Sequence, residues 1–211
     1  MGRGSSGAGR NLGKGSGGVN PENIHNERDL VSERERKRAE VDDVLTVARD
    51  VYDEYNTDVG QFMLAEVGGK DSGTMAYSDG TNIGFNTAYF DGDRMDRAYD
   101  DCVAANFHPS RGKKSAMQAV ASHEYGHVLT QKAGAKLGMY DMDAAAKAIV
   151  DRARLKTTHK GSVAMAAKIS GYAGHSNAEC VAEAIADVYC NGRRASAESR
   201  AIVSTIKDIL K

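Results

Sequence analysis

Residues 119–134, AVASHEYGHVLTQKAG, carry His123 and His127 four apart, with Glu124 beside the first. On an α-helix, positions i and i+4 lie one above the other on the same face. The two imidazoles can therefore offer lone pairs to one metal ion, and Glu124 sits where it can reach a water on that ion. Val120, Ala121, Tyr125, Gly126, Val128 and Leu129 around them are uncharged, which predicts a helix buried through the centre of the domain. Two histidines and a glutamate in such a place are costly without a partner, and zinc is the expected one. A hydrolytic zinc needs three protein ligands and leaves a further position to water. No histidine lies at the short downstream spacing of an HExxHxxGxxH motif; Gly134 and Lys136 follow instead of that pattern. The better source is Glu179, Glu183 and Asp187, an i, i+4, i+8 stripe among Cys180, Val181, Ala182, Ala184, Ile185 and Ala186. A carboxylate buried in such company requires a cation, which the two-histidine helix supplies.

These two segments together, HEYGH and SGYAGHSNAECVAEAIAD, resemble the gluzincin metallopeptidases. Within them they look most like the group formed by the catalytic domain of anthrax lethal factor, the Pro-Pro endopeptidases and phage- or prophage-encoded metallopeptidases. In that group a tyrosine lies seven residues before the glutamate ligand, and an Ala-Glu pair follows the ligand by three and four. Tyr172, Glu179, Ala182 and Glu183 occupy those places here, while Asn177 sits one position closer to Glu179 than in lethal factor. The resemblance runs from the HExxH helix to the glutamate helix, and weakly takes in the hairpin upstream. It implies a zincin-like fold, with Glu179 as third zinc ligand, Tyr172 as transition-state partner and Glu183 behind a histidine.

Residue chemistry supports compatible roles. Zinc polarises a scissile carbonyl and lowers the pKa of its water, and Glu124 can accept that proton and pass it to the leaving amine. The Tyr172 O–H can donate to a developing oxyanion, although a tyrosine there also reads as a core or turn residue. Glu183 can fix a histidine's tautomer or simply lie on the helix surface. Asp187 reads as a structural acid, His108 before Pro109 as a loop histidine, and His175 as at most a neighbour of the metal.

The elements that must position these groups follow from periodicity. Glu27 to about Tyr55 is helical in pattern, with apolar residues recurring near 3.6. QFMLAEVGG is a β-prone piece, and TMAYSDGTNIGFN reads as a hairpin. A three-residue loop, Ser78-Asp79-Gly80, would pair Met75 with Ile83 and Tyr77 with Thr81, gathering Met75, Tyr77, Ile83 and Phe85 on one face. Its second strand, Ile83, Gly84 and Phe85, is the candidate substrate-pairing edge, or a strand that only packs on helices. After a polar connection and the FHPSRGKK break, the active-site helix is expected from about Lys114 to Ala133, with Gly134 as its C-cap. Further helices are expected at about 139–155, 161–169, from Ser176 or Asn177 to Gly192, and at about 195–210.

The fold class is thus α+β, mostly helical with a small twisted sheet or hairpin before the HExxH helix, as a single domain over 21–211. Residues 1–20, a Gly/Ser tract with Arg3, Arg10 and Lys14, are expected to be a flexible tail. A balance of 28 basic and 29 acidic residues argues against nucleic acid or an anionic membrane as partner. No run approaches the roughly 18 apolar residues of a membrane span, and no secretory signal is visible. Cys102, Cys180 and Cys190 lack metal or disulfide spacing and read as free thiols of a reducing compartment. The expectation is a monomeric, cytoplasmic or virion-associated zinc endopeptidase acting on a peptide or protein. The alternative is a catalytically idle zincin-like binding or assembly module, for example a phage head-associated one. Such a module has no chemical reason to keep Glu124.

Overall fold

The computed structural model describes residues 19–158 and 161–211. Residues 1–18, which hold nearly all of the expected tail, and His159 lie outside the described residues. Val19 is buried and the Asn20 N–H donates to Asp71 Oδ2 at 3.1 Å, so the fold takes in two residues ahead of the expected boundary.

The chain is α+β and mostly helical. Four strands, β1 (Ile24–Asp29), β2 (Phe62–Val67), β3 (Ala76–Ser78) and β4 (Ile83–Asn86), form one mixed sheet in the order β1-β2-β4-β3. β2 and β4 are parallel, and the outer pairs are antiparallel. Around it lie α1 (Arg38–Tyr55), α2 (Gly92–Ala104), α3 (Ala116–Lys136), α4 (Met142–Arg154), α5 (Ser162–Ala166), α6 (Asn177–Asn191) and α7 (Ala197–Leu210).

α3 is the central helix, buried over most of its length. A capping box starts it: Ser115 Oγ accepts from Gln118 N at 3.1 Å, and Gln118 Oε1 accepts from Ser115 N at 3.3 Å. α6 packs across α3 at small residues. A Cβ on Gly126 would lie 2.5 Å from Ala182 Cα, so only glycine allows this approach. The crossing sets His123 and His127 on α3 opposite Glu179 and Glu183 on α6.

Four expectations about elements are corrected. The segment from Glu27 is not helical at its start: residues 24–29 are β1, and the helix begins at Arg38. β1 escaped notice because five of its six side chains are exposed, leaving no alternation to read. The polar connection contains α2, capped by the Asp91 side chain on Arg94 N and burying only Met95 and Tyr99. Gly134 lies inside α3, where a Cβ would meet Ala145 Cβ at 2.6 Å; Leu137 is the cap, followed by Gly138 at φ +71°.

The hairpin exists with a different register: Ala76 pairs with Phe85, Tyr77 with Gly84 and Ser78 with Ile83. The loop is therefore Asp79–Asn82. Asp79 Oδ1 accepts from Thr81 N at 2.8 Å and Asn82 N at 2.6 Å, and Gly80 takes φ +87°. This side-chain closure outweighs the apolar grouping used to choose the loop. Tyr77 consequently leaves the face of Ile83 and Phe85, lies over Gly84 and donates to Glu27 Oε1 at 3.1 Å.

Candidate metal centre

His123 and His127 project from one face of α3, and Glu179 meets them from the first turn of α6, where Ser176 Oγ caps the helix by accepting from Glu179 N at 3.1 Å. One donor atom from each of the three lies within 4.8 Å of the others, and all three side chains are buried. This group could hold a metal ion. The Glu179 Oε2 atom is 3.1 Å from His123 Nε2 and 3.7 Å from His127 Nε2. A tetrahedral ion with donors at roughly 2.0–2.1 Å keeps them about 3.3–3.4 Å apart, between those two distances.

The alignment of the atoms supports the same fit. Despite the 3.1 Å approach, the His123 Nε2–Glu179 Oε2 contact lacks hydrogen-bond geometry, and both Glu179 oxygens are buried without a partner. Among the described residues, buried side-chain oxygens and nitrogens without a partner number four: both Glu179 oxygens, Glu124 Oε2 and Tyr172 Oη. All four border one pocket, which is also lined by Thr74, Met75, Ala76 and Val120. The other buried side-chain oxygens and nitrogens of the described residues have partners, as native interiors require. The unsatisfied ones converge where a cation and a polar ligand would complete them.

Electrostatics explain the state of each group. Burial pulls His123 down, but the charges of Glu179 and Glu183 and the hydrogen bond with Glu183 outweigh it and hold the ring well above the ordinary histidine value. Burial brings His127 down to about 4, against the attraction of Glu179, so its ring is neutral and carries a lone pair. Burial raises Glu179, yet the two histidines prevail and keep it below the usual carboxylate value. Glu124 is pushed up to about 8, chiefly by burial. Burial, then the charges of Glu179 and Glu124, drive the Tyr172 hydroxyl far upward, so it remains an O–H donor.

Glu183 lies behind His123. Its Oε1 is 2.8 Å from His123 Nδ1, and its Oε2 accepts from Ser170 Oγ at 2.6 Å. The Tyr172 ring stacks on His123 with centroids 5.8 Å apart. Asp187 is structural: it accepts from Asn191 Nδ2, Ser196 N and Ser199 Oγ and so anchors the start of α7. His175 is exposed and packs on Tyr172 and Phe107, outside the ligand group.

Two placements differ from expectation. Ile83, Gly84 and Phe85 cannot offer an edge, because β4 is flanked by β2 and β3 and the backbone of these residues is paired across the sheet; all three are buried. The sheet edge near the pocket is β3, whose Ala76 lines it. A groove then continues from His127 past Tyr77–Thr81 to Gln131 and Tyr140. The second departure is His108, which lies in a loop as expected but also reaches the site: its Nδ1 lies 2.9 Å from Glu183 Oε1, and it lines the pocket. A lone histidine with no spacing relation to the HExxH helix gives no local signal of this. The buried glutamate it serves was visible, but not its number of partners.

No protein-family model matches the chain, and no curated protein or solved structure is significantly similar to it.

Proposed function

We propose that this protein is a zinc-dependent endopeptidase of gluzincin type, with a zincin-like domain. The single observation that carries the reading is the convergence of four partnerless buried oxygens on a His-His-Glu group. The four belong to three residues, each with a role in peptide hydrolysis beyond folding: Glu179 as a ligand, Glu124 as a base and Tyr172 as an oxyanion donor.

His123, His127 and Glu179 would hold the ion, whose donor set of two imidazoles and one carboxylate suits zinc. When bound, zinc supplies Lewis-acid polarisation of the scissile carbonyl and acidifies a water. Glu124 carries the proton from the attacking water to the leaving amine. Its position near a cation favours the carboxylate form despite burial. Tyr172 keeps its proton and donates to the oxyanion. Glu183 accepts from His123 Nδ1–H, which leaves the Nε2 lone pair for the ion. An extended peptide would pair along the outer edge of β3, beside the pocket, and continue into the groove past Tyr77.

The test is cleavage of a diverse peptide library by the zinc-loaded chain, read by mass spectrometry, against Glu124→Gln. Wild type should cleave. The variant should keep its zinc and lose roughly 10²–10⁴-fold in rate, the range for a general base. Tight zinc binding with no cleavage, and identical behaviour of Glu124→Gln in every assay, would replace this reading with that of a binding module.

A further inference from the structure

The carboxylate behind His123 is held from more sides than the support of one ligand requires. Two imidazoles and a hydroxyl face the Glu183 carboxylate. A carboxylate accepts hydrogen bonds, and both facing imidazole nitrogens lie at donor distance from it. His123 Nδ1–H and His108 Nδ1–H therefore converge on the same oxygen, Oε1, at 2.8 and 2.9 Å. Ser170 Oγ–H takes the other oxygen at 2.6 Å. Three donors at these positions fix the carboxylate in its plane as well as in its direction.

His108 is itself held firmly. Its ring stacks on Tyr99 of α2, with centroids 5.3 Å apart and planes 6° from parallel. The Tyr99 hydroxyl donates to the carbonyl of the next residue, Pro109, at 3.1 Å. On the other side, His108 meets the Tyr172 ring edge-to-face at 5.3 Å. The two residues before it bind the tyrosine's loop through the backbone: Gly171 N donates to Asn106 O and Tyr172 N to Phe107 O, both at 3.0 Å. Gly171 has no room for a side chain there, since a Cβ would lie 2.9 Å from Asn106 O. One short segment thus touches a candidate metal ligand, through Glu183, and the candidate oxyanion donor directly.

We propose that His108 is a positioning residue that sets His123 and Tyr172 relative to one another, orienting the first through the shared Glu183 oxygen and the second through ring packing. The inference rests on the metallopeptidase reading, because only there do those two side chains act on one reacting group. An ordinary core histidine would affect stability alone. A histidine with this role affects the metal's environment and turnover as well.

The test uses the full chain, cobalt(II) as the metal probe, and the variants His108→Ala and His108→Asn. The asparagine amide N–H can take the place of Nδ1–H, which also covers the case in which alanine fails to fold. His108→Ala should bind cobalt roughly 10–100-fold more weakly, the range for loss of a group supporting a ligand, with altered d–d absorption. Peptide cleavage should fall mainly in kcat, with KM near wild type. His108→Asn should recover most of the affinity and the wild-type spectrum. A metal-free measurement separates this inference from the reading beneath it: the His123 Nδ1–H resonance should shift in His108→Ala and return toward its place in His108→Asn. Wild type that fails to bind cobalt overturns the metal reading, and the resonance then decides for or against His108. Unchanged cobalt affinity and spectrum in His108→Ala, or a His123 resonance indifferent to both variants, overturns the role given to His108.

Discussion

The two ends of α6 hold acids that look alike in sequence and differ in what they lack. Asp187, near the C-terminal end, is 6% exposed and has three donors: Asn191 Nδ2 at 2.9 Å, Ser196 N at 2.9 Å and Ser199 Oγ at 2.7 Å. Glu179, in the first turn, is 2% exposed and has no hydrogen-bond partner on either oxygen. Glu183 lies between them and is fully engaged. Burial of a carboxylate therefore does not by itself mark a site, because the fold can saturate it with donors. What separates the ends is that one acid is complete within the chain and the other requires something further.

Substitutions at the two ends should separate accordingly. The largest effect is expected from Glu179→Ala or His123→Ala, which should abolish stoichiometric zinc binding, measured by metal analysis after dialysis. Asp187→Asn should leave metal content unchanged, and equal metal loss at both ends would erase the contrast. Next in size is Tyr172→Phe, which removes the proposed oxyanion donor and should lower turnover about 10²–10³-fold, mostly in kcat, with zinc retained. Glu183→Gln keeps the shape but weakens acceptance from two imidazoles, so zinc affinity should drop roughly 10–100-fold in a chelator competition. The smallest effects concern stability. Asp187→Ala orphans donors at the start of α7 and should cost about 1–3 kcal/mol in denaturant unfolding. In the metal-free chain Glu179→Gln should cost less than Asp187→Ala, because it removes charge attraction to the two histidines but no hydrogen bond. A loss at Glu179 as large as at Asp187 would mean that its partnerless oxygens are not as isolated as they stand here.

How far sequence reached follows the same division between what is local and what is shared. His123, Glu124 and His127 were legible because one helical turn fixes their relation. The α6 stripe was legible from its apolar neighbours, and Ser176 and Gly192 bound that helix as expected. Choosing Glu179 from the stripe needed the family resemblance, since spacing along a helix does not say which turn meets a partner. The alternatives became distinct once the Gly126–Ala182 crossing set the register of α3 on α6. β1 and α2 were missed because one buries almost no side chain and the other only two. The hairpin was read with the wrong pairing because backbone capping by Asp79, not apolar grouping, closes its loop. The candidate substrate edge was placed on β4 because its parallel pairing with β2, which makes it internal, leaves no local signal. His108 belongs to the class that no periodic pattern discloses: its partner is 75 residues away and its own neighbourhood reads as a turn.

The central claim, that Glu179 completes a zinc site and is not merely another buried acid, is tested most directly by anomalous diffraction at the zinc edge from crystals grown with one equivalent of zinc. The account predicts a single peak roughly 2.0–2.2 Å from His123 Nε2, His127 Nε2 and a Glu179 carboxylate oxygen, the distances of nitrogen and carboxylate donors. A peak with Glu179 turned away from both imidazoles, or one coordinated by Glu183 in its place, would contradict it.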